Sequence, residues 1–184
     1  SKLRQIYNGH VITENHGAVI FDKSKINYIK NNFSGKIAIL YCFIAEGKML
    51  RENFGGMATD DSDIFNAVSD SVFNGQVKSC REGVNLSSAD HLIFLGIDYS
   101  ALSYLQGRER ASFLGRDRKN KIHYIFAEKG IEPKVYQVVQ SKESYTINHY
   151  RNDRGSISEE ADRQARERRM DSNQVNYVQQ SWFT

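Results

Sequence analysis

The sequence predicts an α/β protein built on a parallel sheet, and three observations predict it. Lys36-Ile-Ala-Ile-Leu-Tyr-Cys-Phe43 is a continuous apolar run behind a Ser34-Gly35 turn. That is the pattern of a strand covered on both faces, which a parallel sheet requires because its crossover helices lie over it. Further short apolar runs recur at Gln76–Cys80, His91–Gly96 and Lys121–Ala127. Stretches with helical spacing lie between them, so strand and helix alternate over ~100 residues, as βαβ units do.

In chain order, residues 1–33 read as helical in two pieces, Lys2–Tyr7 and Ser24–Asn32, with a turn-rich connector between them. Lys36–Phe43 is expected as a central strand. Ala45–Phe54 carries helix formers with Met49 and Leu50 as apolar positions, and Gly55-Gly56 ends it. Met57–Thr59 is a short strand candidate. Asp60-Asp61-Ser62-Asp63 then offers side chains that cap helix amides, ahead of Ile64, Phe65, Val68 and Val72 as an apolar face. Gln76–Cys80 is expected as the third strand, leading into a loop over Arg81–Asn85. His91–Gly96 is expected as the fourth strand, Ser100–Phe113 as a helix, Lys121–Ala127 as the fifth strand and Ile131–Ser141 as a closing helix.

Past Ser144 the pattern changes. Residues 151–173 are Arg, Glu, Asp and Ser with almost no large apolar side chain, so they are expected as a solvated helix or as disorder. Val175–Phe183 regains Val, Tyr, Trp and Phe, and docks either on the body or on a partner. The expected organisation is one globular lobe over residues 1–145, with 1–33 as its helical lead-in, and a polar Arg/Glu-rich tail over 146–184.

Bulk properties bound the function. With 184 residues, 40% of them hydrophobic, the chain has enough apolar surface for one core, and a single proline excludes a long polyproline linker. A net charge of +3 fits a phosphate-bearing partner without demanding one; the basic side chains gather at Arg108–Lys121 and Arg151–Arg169. Cys42 and Cys80 lie in apolar, strand-like surroundings and read as buried thiols of a reducing compartment. The five histidines match no zinc site and no catalytic triad. No apolar run approaches the ~20 residues that span a bilayer, and the basic, polar start lacks a signal-peptide core, so no membrane partner is expected. The expected compartment is the cytoplasm of a bacterial or phage-infected cell, or the nucleus of a eukaryote. Because the sequence starts inside what reads as a motif, a piece of a longer polypeptide is expected. Phe43, Phe94, Tyr124 and Phe126 fall in expected strands and read as core rather than as a stacking platform; Tyr99 and Tyr104 border the expected helix where strands end.

Four motifs carry a resemblance. Ser79-Cys80-Arg81-Glu82-Gly83-Val84-Asn85-Leu86, then Ser88-Ala89-Asp90 ahead of the strand at His91, resembles helicase motif V of superfamily-two, Swi/Snf-type ATPases. A strand ends there, a loop glycine permits close approach of nucleotide or backbone, and a polar residue stabilises the turn. Ser79, Ser87 and Ser88 either donate to a nucleic-acid backbone or stabilise the turn. Tyr104-Leu-Gln106-Gly-Arg108-Glu-Arg110, with Arg116, is similar to motif VI, in which a helix presents Gln and arginines to ATP. Leu3-Arg4-Gln5-Ile6-Tyr7-Asn8-Gly9 resembles the Leu-Arg-x-x-x-Asn element that leads into the second lobe, and Lys36–Phe43 resembles motif IV with its terminal Phe. Ile125–Glu132 with Lys134 and Tyr136 is similar to the strand, turn and Ile-Glu-x-Lys helix that close that lobe. The style is closest to the compact Snf-like helicases of phages and prophages.

The resemblance implies a RecA-like C-terminal helicase lobe of the P-loop NTPase type, a parallel sheet with helices on both faces. It implies that Gln106, Gly83, Glu82 and Asn85 face the nucleotide, that Ser79, Cys80, Arg81 and Phe43 grip nucleic acid, and that Arg110, Arg116 and Arg108 are the candidates for catalytic arginines. An arginine finger stabilises charge on the transferring phosphoryl oxygens, an effect worth about 10³–10⁵ in rate. Two positions depart from the family. Arg81 stands where the family has Gly. Counted from Gln106, the first arginine falls on Arg110, but the second falls on Phe113, so Arg116 or Arg108 takes that role or the register shifts.

The implied partners are DNA, gripped without sequence preference, and an N-terminal RecA-like lobe in cis or in trans. The implied cofactor is ATP with Mg2+, held mainly by that first lobe. The sequence given holds no Gly-x-x-x-x-Gly-Lys-Ser/Thr loop and no Asp-Glu acidic motif after an apolar strand; Asp60-Asp61 and Glu159-Glu160 do not substitute. This chain alone is therefore expected not to hydrolyse ATP. The alternative, from a different class, is a degenerate lobe that keeps the fold and binds nucleic acid or protein without ATP chemistry.

Overall fold

A computed structural model describes residues 2–14, 17–81, 84–100, 106–108, 121–142 and 173–178, with Arg81 and 173–178 described in their backbone only. Helix α1 (Lys2–Tyr7) is followed by strands β1 (His10–Thr13) and β2 (Gly17–Ile20), helix α2 (Ser24–Asn32), strand β3 (Ile37–Tyr41) and helix α3 (Ile44–Phe54). Then come strand β4 (Ala58–Thr59), helix α4 (Ser62–Ala67), strand β5 (Val72–Gln76), strand β6 (His91–Phe94), a helical turn at 106–108, strand β7 (Lys121–Ala127), helix α5 (132–142) and strand β8 (Asn173–Val178).

The main sheet has six strands in the order β4-β5-β3-β6-β7-β8, and every neighbouring pair is parallel. All five residues of β3 are buried, as its unbroken apolar run requires. Successive side chains of a strand point to opposite faces, and the core divides accordingly. Ala38, Leu40, Phe73, Leu92, Phe94, Tyr124 and Phe126 pack on one face with Phe65 of α4 and Val135, Tyr136 and Val139 of α5. Ile37, Ile39, Tyr41, Val72, Ile93 and Ile125 pack on the other with Ile26 and Ile29 of α2 and Met49, Leu50 and Phe54 of α3. The expected α/β architecture with helices on both faces is the observed one.

Several local expectations change. The connector after α1 is an antiparallel hairpin, with Val11 opposite Val19 and Ile12 opposite Ala18. Its opening turn depends on Gly9, at φ +79°, whose carbonyl accepts from the amides of Phe21 and Asp22; a Cβ there would stand 2.1 Å from the Asp22 carbonyl oxygen. The third strand is Val72–Gln76, not Gln76–Cys80, and Ser79–Arg81 is a 3-10 turn. Asp61 caps α4 through the amides of Asp63 and Ile64 as expected, but that helix ends at Ala67. Its apolar face reduces to Phe65: Ile64 and Val68 are about half exposed, and Val72 belongs to β5. Propensity disfavours Val-Phe-Asn-Gly-Gln as a strand, yet the first four positions are fully buried, so burial overrides it.

The segment 173–178, which takes in the start of the Val175–Phe183 stretch expected to dock on the body or on a partner and begins in the stretch expected as a solvated helix or disorder, pairs with β7 as the sixth strand, Ile122 opposite Asn173 through Ala127 opposite Val178. The expected boundary at 145/146 and most of the expected Ser100–Phe113 helix lie outside the described residues. Both cysteines are free, Cys80 buried and Cys42 half-buried. Among the described residues no helix is long and apolar enough to cross a membrane.

Candidate functional site

The strand order places the site. From β3 the chain passes outward to β4 and β5 on one side, then returns across β3 to β6, β7 and β8 on the other. The winding therefore reverses between β3 and β6, and a crevice opens at the carboxyl ends of strands where such a reversal occurs. Val77, Phe94, Gly96, Ile97 and Asp98 line a small cleft there.

One wall is the β3–α3 turn. The Glu46 carboxylate accepts from the backbone amides of Cys42 and Phe43, both at 2.8 Å, while the Gln76 side-chain amide donates to the Cys42 carbonyl at 3.0 Å. Three bonds thus fix the turn that carries Phe43, with Glu46, three residues past the N-cap, reaching back to the amides of the N-cap Phe43 and of Cys42 before it. The Phe43 ring is half-buried, edge-on to the His10 ring at 5.2 Å, with the Arg4 guanidinium 5.4 Å from its centroid. Beside it Ile44 is 75% exposed.

The opposite wall is the turn Gln106-Gly107-Arg108. A Cβ on Gly107 would lie 3.1 Å from a Leu40 methyl and 3.2 Å from the Phe94 ring, closer than ordinary contact, so a side chain there would press Leu40 or Phe94 aside by a few tenths of an ångström. Docking at Gly107 holds Gln106 and Arg108 beside the reversal point, both half-buried. The Gln106 side-chain oxygen is enclosed and accepts no hydrogen bond from the described residues.

A buried polar cluster lies beneath this edge. Lys25 Nζ stands 2.7 and 2.8 Å from the two Glu132 oxygens and donates also to Asn8 Oδ1 and, at 3.2 Å, to the Leu95 carbonyl. Glu132 accepts in turn from the Ala127 amide at 2.9 Å. Burial pushes the Glu132 carboxyl up, against the pull of Lys25, and pushes Glu46 up to about 7, against the Phe43 amide and Lys25. Burial holds His10 below the ordinary histidine value. The Cys42 thiol is driven far up, by burial first and by Glu46 next, so it is no nucleophile at neutral pH.

The residues singled out from sequence are distributed as follows. Phe43, Gln106 and Arg108 gather around the reversal point. Ser79 is exposed. Cys80 is 4% exposed and belongs to the core, its sulfur against Gly75, so contact with an outside partner could come from its backbone alone. Asn85 is exposed, and its side-chain oxygen accepts from the Ser87 amide at 3.0 Å while its carbonyl accepts from Asn66 of α4 at 2.9 Å. Ser88 also bonds Asn66, and Lys36 donates to the carbonyls of Phe65 and Asn66. The loop that carries Asn85 is thus fastened to the end of α4, just before β5 begins. Arg110, Arg116, Glu82 and Gly83 lie outside the described residues, as does the Arg81 side chain. Arg4, Lys25, Glu46 and Glu132 were not singled out as site residues. The available signals were a lysine inside the apolar Ile26/Ile29 face of its helix and a glutamate three residues into a helix that opens at a strand end.

No protein-family model and no curated protein matches the sequence. Among solved structures, the chain is similar to the C-terminal part of the Fun30 ATPase domain, with a TM-score of 0.53 and 19% identity. The match covers 62% of this chain and 45% of that one, so this chain spans less than half of that structure. The likeness is one of fold: the sheet is of the kind found in the second lobe of RecA-like helicases.

Proposed function

We propose that this chain is the second motor lobe of an ATP-dependent DNA helicase or translocase, supplying arginines to an ATP site completed by an N-terminal RecA-like lobe. The observation that carries the reading is the docked turn Gln106-Gly107-Arg108. In this reading the seat of Gly107 against Leu40 and Phe94 sets an amide and a guanidinium near the reversal point of the sheet, where ligands of open α/β sheets bind. The likeness to part of the Fun30 ATPase domain supports a lobe of this class. The resemblance of Lys36–Phe43 and Ser79–Leu86 to motifs IV and V supports the Swi/Snf type, in a style closest to the compact helicases of phages and prophages.

ATP with Mg2+ would supply the phosphoryl group and the charge that holds it. The enclosed Gln106 oxygen, which meets no donor among the described residues, fits a hydrogen-bond donor on such a ligand, while the phosphates belong mainly to the first lobe, since no phosphate loop or acidic motif stands in this sequence. In this reading Arg110 stabilises the transferring phosphoryl charge, and Arg108 or Arg116 is the second arginine. Phe43 and the Ser79–Arg81 turn hold the DNA backbone without reading its sequence. Closure of the two lobes then alternates the grip and moves the DNA.

The test mixes this chain with its first lobe and measures DNA-stimulated ATP hydrolysis. Arg110→Ala is expected to lower the rate by about 10³ or more, and Arg108→Ala and Arg116→Ala assign the second arginine. Unchanged hydrolysis in Arg110→Ala removes the finger assignment. Arg81 in place of Gly and Phe113 in place of Arg favour a second reading, a binding lobe without ATP chemistry; DNA binding with no hydrolysis in any pairing would select it.

A further inference from the structure

Arg4 occupies a position that the reading above leaves unused. It lies in α1, yet its Nη1 donates to the carbonyl of Ile97, 93 residues away, at 3.0 Å. Its guanidinium carbon is 5.4 Å from the centre of the Phe43 ring and 5.8 Å from that of Tyr99, both within cation–π range. One planar group therefore touches the turn after β3, which carries Phe43, and the segment that follows β6. The first is one wall of the site; the second follows Phe94, the ring against which Gly107 seats the other wall. Arg4 joins the two.

The hydrogen bonding of Arg4 is incomplete. Its Nε–H is enclosed and has no acceptor among the described residues. An arginine with every donor paired is a static staple, because any other position would cost it a bond. An arginine with a spare enclosed donor gains a bond if its surroundings shift to offer an acceptor. A part that transmits between two sites needs two arrangements of this kind, close in energy. The surrounding charges hold it near the edge: Glu132 lies within electrostatic reach of the guanidinium, and Asp98 follows the Ile97 carbonyl it grips.

We propose that Arg4 is a positioning residue that couples the DNA-gripping turn at Phe43 to the nucleotide-facing turn at Gln106–Arg108, so that DNA bound at one wall alters the setting of the other. This rests on the motor reading. It assigns to the α1 segment a regulatory task in ATP hydrolysis, and the task needs a planar, two-faced cation that lysine does not copy.

The experiment uses the complete two-lobed protein and reads basal ATPase, DNA-stimulated ATPase, DNA affinity and melting temperature for Arg4→Lys, Tyr99→Ala and Tyr99→Phe. Arg4→Lys and Tyr99→Ala are expected to lower the ratio of stimulated to basal rate by about tenfold, with basal rate, DNA affinity and melting temperature unchanged. Tyr99→Phe keeps the ring and is expected to behave as the unsubstituted protein. Full stimulation in Arg4→Lys, or a parallel fall in all four quantities for both Arg4→Lys and Tyr99→Ala, overturns the coupling role and leaves the motor reading standing. An unsubstituted protein with no DNA-stimulated hydrolysis removes the motor reading, and the coupling role with it.

Discussion

Lys25 and Glu132, 107 residues apart in sequence, form a buried ion pair in which one ammonium faces both oxygens of one carboxylate at 2.7 and 2.8 Å, with side chains 5% and 1% exposed. The pair joins α2 to the start of α5, and with Asn8 and the Leu95 carbonyl it pulls the lead-in segment onto the ends of β6 and β7. Removing one partner leaves an uncompensated charge in the interior. Lys25→Met is therefore expected to destabilise the fold by about 3–5 kcal/mol in urea denaturation, whereas Lys25→Met with Glu132→Leu is expected to recover most of it. Equal losses in the single and double variants would contradict this account.

Glu46 sets a pH dependence of defined sign. Its carboxyl is raised by burial to about 7, so the native chain binds that proton more tightly than the unfolded chain does. The associated stability is fully present below the ordinary carboxyl range and is lost as pH rises through about 7, a change on the order of 3 kcal/mol. Glu46→Gln keeps an acceptor for the turn and cannot ionise. It is expected to gain on the unsubstituted protein steadily from pH 5 to pH 8 (roughly the window between the two protonation states); a constant difference across that series rules the assignment out.

His91 and His123 give the opposite slope. Their ring nitrogens are 3.0 Å apart at the amino ends of β6 and β7, edge-on to Phe33. Burial first, then His91 and Lys121, holds His123 at about 4. A base with a depressed value contributes stability that is present above the ordinary histidine range and lost as pH falls toward 4. His123→Gln removes the titration, so its denaturation midpoint is expected to fall less on acidification than that of the unsubstituted protein. Identical acid slopes would discard the idea.

Asn74, in the middle of β5, is 1% exposed, and neither its side-chain oxygen nor its nitrogen has a hydrogen-bond partner among the described residues. An unpaired buried amide opposes folding by about 1–3 kcal/mol. Asn74→Val, apolar and suited to a strand, is expected to raise the melting temperature. A lower one would show that the amide is satisfied in solution.

Gly107 tests the placement of the site itself. Its close approach to Leu40 and Phe94 leaves little room for a side chain. Under the proposed motor function, Gly107→Leu is expected to displace Gln106 and Arg108 and abolish DNA-stimulated hydrolysis once the first lobe is supplied, with DNA binding retained. Full activity in that variant would mean that the turn does not need this seat.

The limits α1, α2 and β7 were legible in full, because each is a short run whose periodicity and flanking turn residues agree. The hairpin was not, although His10–Thr13 and Gly17–Ile20 are short β-branched runs three residues apart; its exposed faces blur the alternation, and Gly9 with Asp22 closes it. Strand β5 was placed four residues late because Val72 also completes a helical face with Ile64, Phe65 and Val68, and only sheet pairing with Ile37 decides between the two.

The sequence by itself determined the class of the sheet, because it is written in local apolar runs and in the spacing of the helices between them. Tertiary structure alone decided that Lys25 meets Glu132, that Arg4 reaches Ile97 and that Gly107 seats the turn beside β3 and β6. Those contacts join residues far apart along the chain, and their energies depend on desolvation and on which neighbours share one enclosed volume, which no run of neighbouring letters encodes.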